Sequence, residues 1–178
     1  RVRTVAVVGD SLTLAATAEI EGALAQIGLE VVVIDGAENR RMVGGTIEPG
    51  TEAIDAIVTG TTRPDLWVIA LGTNDVGAER RGDAFRADID AVLGRLPPGA
   101  PVVWVDLWIR DRAEAVDEAN LTIRAVLDAR TGAAVAAWHP NGDDPGVVTE
   151  DGVHLTRAGR LRFAASIAAT IAELLGST

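Results

Sequence analysis

The sequence predicts an α/β protein: a three-layer α/β/α sandwich around a parallel sheet of about five strands. Three observations predict it. Short runs apolar throughout, such as Val5-Ala-Val-Val8 and Leu66–Leu71, read as strands buried on both faces. Helical patterns alternate with them along the chain. Polar, Gly-containing loops follow the first, second, third and fifth runs, so they gather along the C-terminal edge of the sheet.

The elements are predicted as follows. Val2–Val8 is the first strand, and it runs out into Gly9-Asp10-Ser11-Leu12. Leu12–Ile27 is a helix with Leu14, Ala18, Leu24 and Ile27 on its apolar face, stopped by Gly28. Leu29–Ile34 is the second strand, followed by a polar loop, Asp35–Gly45. Glu52–Val58 is a short helix between glycines. The third strand, Leu66–Leu71, ends in Gly72-Thr-Asn-Asp75. Asp83 is read as the cap of a helix with Phe85, Ile89, Val92, Leu93 and Leu96 inward, stopped by Pro97-Pro98-Gly99. Val102–Leu107 is the fourth strand. Ala113–Arg130 is a helix burying Val116, Ala119, Ile123 and Val126. Ala133–Ala137 is a short fifth strand, and Trp138–Asp151 a long loop. Thr156 caps a last helix, Arg157–Leu175, with Ala164, Ile167, Ala168, Ile171 and Leu175 inward. Residues 1–178 read as one domain with a sizeable core.

Composition removes several chemistries. The chain has no Cys, Lys or Tyr, and all sixteen basic residues are Arg. That excludes a thiol nucleophile, a disulfide, a thiolate metal site, a Schiff-base lysine and a P-loop lysine. There is no G-x-G-x-x-G for a dinucleotide. A net charge of −10 argues against nucleic acid or an anionic membrane as partner. No run is long enough to span a membrane. Arg1–Thr4 carries no secretion-signal pattern, while the absence of Cys fits an extracytoplasmic setting. No metal or cofactor is expected.

Four stretches on the sheet edge carry chemistry. Ser11 lies at a strand-to-helix turn, where open α/β sheets place ligands and where backbone N–H groups hold an oxyanion. A serine nucleophile needs a base, and the chain has two histidines. His154 has Asp151 three residues before it, a spacing that puts both side chains on one side of a turn. A Ser-His-Asp relay from Ser11 through His154 to Asp151 is the reading this supports. His139 precedes Pro140 and is the weaker base. Asn74 offers a side-chain N–H. A glycine of the second loop offers a backbone N–H. Arg40 and Arg41, in that loop, are candidate ligands for an anionic or sugar substrate. Trp108 and Trp138 are placed either to stack on a sugar or to pack in the core.

Gly9-Asp10-Ser11-Leu12, Gly72-Thr73-Asn74-Asp75 and Asp151-Gly152-Val153-His154, in that order over the whole chain, resemble the first, third and last blocks of the SGNH hydrolases, the GDSL esterase/lipase superfamily. The resemblance implies a flavodoxin-like fold and acyl transfer through a serine ester. It implies Ser11 as nucleophile, His154 as general base and Asp151 as its orienting partner. Asn74 and the Ser11 N–H would then line the oxyanion hole. For the second block, Gly44 is the preferred donor, Gly45 fits equally, and an alternative alignment through Ile34–Arg41 puts Asn39 there. That alternative is similar to extracytoplasmic SGNH domains associated with polysaccharide O-acetylation, although Asp75 fits the hydrolytic members better. The expected function is a serine esterase acting on short-chain acyl or carbohydrate O-acetyl esters. The alternatives are an O-acyltransferase for cell-envelope polysaccharide and, from another class, a non-catalytic flavodoxin-like binding or signalling module.

Overall fold

A computed structural model describes residues 2–176. Five parallel strands form one sheet in the order β2-β1-β3-β4-β5. They are β1 (Thr4–Gly9), β2 (Glu30–Gly36), β3 (Leu66–Ala70), β4 (Val102–Val105) and β5 (Ala133–Ala136). The helices are α1 (Ser11–Ala15), α2 (Thr17–Gln26), α3 (Gly50–Thr59), α4 (Thr73–Gly77), α5 (Gly82–Leu93), α6 (Ala113–Asp128), α7 (His139–Gly142) and α8 (Arg157–Gly176). A 3₁₀ turn spans Arg110–Arg112.

Side chains alternate across a strand, so each strand feeds two cores. Ala6, Val8, Trp67, Ile69 and Trp104 join α3, α5 and α6 on one face. Val5, Val7, Val68, Val103 and Val105 join α1, α2 and α8 on the other. This is the three-layer α/β/α architecture that the apolar runs predict. Among the described residues no helix is long and apolar enough to cross a membrane.

The chain leaves β1 in one direction to reach β2 and in the other to reach β3. β1 and β3 are neighbours, with Gly9 opposite Ala70. Their C-terminal ends therefore flank the topological switch point, where α/β sheets open a crevice.

Several local expectations are corrected. The first helix is two helices, broken at Ala16 (φ −100°, ψ 11°). The buried face keeps i,i+4 spacing through the break but is Leu12, Ala16, Ile20 and Leu24, while Leu14, Ala18 and Ile27 are exposed. Asp83 does not cap α5. The helix begins one residue earlier, and Glu118 of α6 accepts the Gly82 N–H at 3.1 Å. Gly72–Asp75 is not an open loop, since its last three residues start α4. The Thr156 cap is as expected, its Oγ1 accepting the Gly159 N–H at 3.1 Å.

Candidate active site

The turn that carries Ser11 is built first. Gly9 ends β1 where a Cβ would stand 1.9 Å from Thr13 Oγ1, so only glycine lets the chain turn this tightly. Asp10 then caps α1, its Oδ1 accepting the Leu12 N–H at 3.0 Å. The Asp10 N–H donates to Ala70 O at 3.2 Å, which ties the turn to the end of β3. Ser11, the first residue of α1, is left half-buried at the crevice.

His154 and Asp151 come from the loop before α8. His154 Nε2 lies 3.2 Å from Ser11 Oγ, and its Nδ1 lies 2.7 Å from Asp151 Oδ2. The other carboxylate oxygen, Oδ1, accepts from Thr149 Oγ1 at 2.7 Å, Val153 N at 2.9 Å and His154 N at 3.0 Å. Desolvation works against the charge. The His154 contact and the donors from Val153 and Thr149 outweigh it and hold the Asp151 carboxyl well below the usual range. An ionised Asp151 can only accept, so the Nδ1 proton is assigned to the Asp151 side and the Nε2 lone pair to Ser11. The loop is braced from below by Arg110, whose N–H donates to Gly152 O at 3.1 Å. Gly152 has φ +72°, and a Cβ there would meet Arg110 Cβ at 2.5 Å.

Asn74 lies in the first turn of α4, on the β3 side of the crevice. Its Nδ2 donates to Arg40 O at 3.0 Å. Only the amide nitrogen can donate to a carbonyl, so this contact fixes which way the amide points and leaves its second N–H available. Behind it, both Asp75 oxygens accept the Met42 N–H at 3.2 Å. Burial pushes the carboxyls of Asp75 and Asp10 up to about 6 each. Asp10 Oδ2 has no hydrogen-bond partner among the described residues.

The second loop is where the expectations need most correction. A cleft of about 490 Å³ beside Asn74 is lined by Asn39, Arg41, Gly45, Thr46, Gly77 and Ala78. Gly44 is exposed and is not in that wall. Asn39 takes the left-handed conformation, φ +58°, immediately before the residue that holds Asn74. Arg40 is no substrate ligand. It is 2% exposed, and its guanidinium donates to Gly9 O, Asp35 O and Glu48 O, and pairs with Asp35 and Glu48. Arg41 points the other way, exposed at the cleft.

The remaining candidates fall outside the site. His139 lies edge-on to Trp108 and 3.4 Å from Asp117, away from Ser11. Trp108 is 8% exposed and Trp138 fully buried, the latter edge-on to Phe163, so both are core. Sequence reasoning misses Thr149, and it names Arg40 without its structural role. Thr149 carries a signal, a hydroxyl two residues before an aspartate at a turn. Arg40 carries none, because nothing in one sequence separates a buried arginine from its exposed neighbour.

No family model and no curated protein matches the chain. Solved structures do. Among them are the C-terminal catalytic domain of Streptococcus pneumoniae peptidoglycan O-acetyltransferase A (20% identity, TM-score 0.74, covering 99% of this chain and 94% of that one) and a family 3 carbohydrate esterase of Clostridium thermocellum (17%, 0.73, 99% and 98%). A third is TesA (20%, 0.78, 97% and 99%). At these identities the likeness is one of fold, and it spans the full length of each. This chain thus shares the fold of these solved structures, a five-stranded parallel sheet between layers of helices.

Proposed function

We propose that the protein is a serine esterase that cleaves short-chain acyl esters, including O-acetyl groups on carbohydrate, through an acyl-enzyme. One observation carries the reading: the continuous relay from Ser11 Oγ to His154 Nε2 at 3.2 Å and from His154 Nδ1 to Asp151 Oδ2 at 2.7 Å. Fold alone does not imply function, but a nucleophile, base and orienting carboxylate at these distances form the constellation acyl transfer requires.

In this reading the Ser11 hydroxyl attacks the ester carbonyl as its proton passes to His154 Nε2. Asp151 stays ionised and stabilises the imidazolium without taking its proton. The tetrahedral oxyanion is received by the Ser11 N–H, the free N–H of Asn74 and the N–H of Asn39. Asn39 is taken over Gly44, which is not in the cleft wall, and over Gly45, which is, because it adjoins the carbonyl that orients Asn74. His154 returns the proton to the leaving alcohol. It then activates water, which releases the acid and regenerates Ser11. The half-exposed His154 side chain (54%) is open to water as the acceptor. The O-acetyltransferase among the structural neighbours keeps a sugar hydroxyl as the second acceptor to test.

The test is covalent labelling with a small fluorophosphonate, read by intact and peptide mass. A single adduct on Ser11, lost in His154→Ala, supports an activated serine. A folded protein without an adduct supports the binding-module reading instead. Acetate release from acetylated sugars, with and without added acceptor sugar, then separates hydrolysis from transfer.

A further inference from the structure

The two adjacent arginines of the second loop do different jobs, and the second has no partner. Arg40 takes both carboxylates within reach, Asp35 and Glu48. Among the described residues the Arg41 side chain makes no hydrogen bond, and no carboxylate lies within 4 Å of it. It is exposed in the wall of the cleft that Asn74 opens into. Arg41 and Asn74 line the same cleft, so a group held by the guanidinium sits beside the Asn74 amide.

The other residues that line the cleft, Asn39, Gly45, Thr46, Asn74, Gly77 and Ala78, carry no charge, so Arg41 is the one ionised side chain in its wall. An unpaired guanidinium in an otherwise uncharged cleft attracts anions locally, on a chain of net charge −10.

We infer that Arg41 is a specificity residue for an anionic group on the substrate: the preferred ester is carried on a sugar or alcohol that also bears a carboxylate or phosphate. This rests on the esterase reading of the same site. A guanidinium fork matches either anion in two parallel hydrogen bonds. Docking that group in the cleft would hold the ester carbonyl against Ser11 and Asn74, so the binding energy acts on positioning.

The experiment compares two acetyl monoesters that differ in charge, O-acetylated methyl glucoside and O-acetylated glucuronic acid. The kcat/KM for each is measured with wild type, Arg41→Ala and Arg41→Lys at low and high salt. Wild type is expected to prefer the glucuronate ester by about tenfold, the worth of one good charge-assisted contact. The preference should fall to near one in Arg41→Ala, survive in part in Arg41→Lys and shrink at high salt. The same preference in wild type and Arg41→Ala, or a wild type that favours the neutral ester, overturns the inference. Binding of glucuronate and of inorganic phosphate to the Ser11→Ala protein separates this from failure of the esterase reading. Arg41-dependent binding without turnover of either ester sinks the esterase reading and keeps the anion site. Turnover without Arg41-dependent binding or charge preference does the reverse. The tighter of the two anions identifies the group as phosphoryl or carboxylate.

Discussion

The two halves of the candidate site are held in different ways. Ser11 and Asn74 sit on the ends of neighbouring central strands, over carboxylates that are 1% and 2% exposed, Asp10 and Asp75. The sheet register fixes them, because Gly9 pairs with Ala70 and any slip moves both. Asp151 and His154 come from a loop with side chains 51% and 54% exposed. There the geometry is local, with three donors converging on Asp151 Oδ1. One half borrows its precision from the core. The other makes its own from a turn. Substitutions of the groups that support the first half should therefore disturb stability and activity together, and those in the second should disturb activity far more than stability.

The largest expected effect tests whether the halves act as one unit. Ser11→Ala and His154→Ala should each lower ester cleavage by roughly 10⁴-fold or more, and the double variant should be no worse than either. Additive losses in steady-state kinetics would break the relay. Both should leave the fold intact, since the α1 cap is Asp10 and not Ser11. Asn74→Ala comes next, with turnover down about 10²–10³-fold if its free N–H meets the oxyanion. That loss should appear in kcat more than in KM.

Arg40→Ala against Asp151→Ala is the sharpest contrast. Removing Arg40 leaves Gly9 O and Asp35 O short of a donor and should cost about 3 kcal/mol in denaturant unfolding. Asp151→Ala removes an exposed acceptor and should cost only about 1 kcal/mol while activity falls sharply. Equal stability losses would show that the turn is not self-contained.

The pH dependence separates the halves again, with a smaller effect. Asp10 and Asp75 titrate near about 6 when folded, against an ordinary 3.8. Between those values the folded chain binds more protons than the unfolded one. The stability these groups contribute is thus fully present below the ordinary value and lost as pH rises through about 6. Asp151, shifted the other way, contributes stability above the ordinary carboxylate range that is lost as pH falls. Asp75→Asn keeps one acceptor for the Met42 N–H and removes the titration. Its Tm should therefore gain on wild type as pH rises from 4 to 6. A constant difference across that window would mean Asp75 titrates normally.

The same contrast explains what the sequence could reveal. Strands buried on both faces, such as Val5–Val8, announce themselves as apolar runs, and the blocks that follow them are legible by position. The D-x-x-H turn is legible because its hydrogen bonds are local in sequence. The second loop is less legible because its conformation depends on contacts far along the chain. Asn39 takes left-handed backbone, as asparagine can, and so do Gly44 and Gly45, so that conformation does not single out one donor. Arg40 looked like a surface charge, but its partners are the carbonyls of two strand ends. The split at Ala16 is hidden too, because the alanines around it favour helix and no Gly or Pro marks the break.

The smallest expected effect isolates the turn itself. Thr149→Val removes one of the three donors to Asp151 Oδ1 and leaves the backbone N–H groups of Val153 and His154 in place. The carboxylate should remain ionised but rotate more freely, loosening its hold on His154 Nδ1. Activity should fall a few-fold, roughly the worth of about 1 kcal/mol for one hydrogen bond, with Tm unchanged. Thr149→Ser keeps the hydroxyl and should restore the rate. If serine fails to rescue, the threonine methyl and not its hydrogen bond sets the turn, and the precision of this half comes from packing after all.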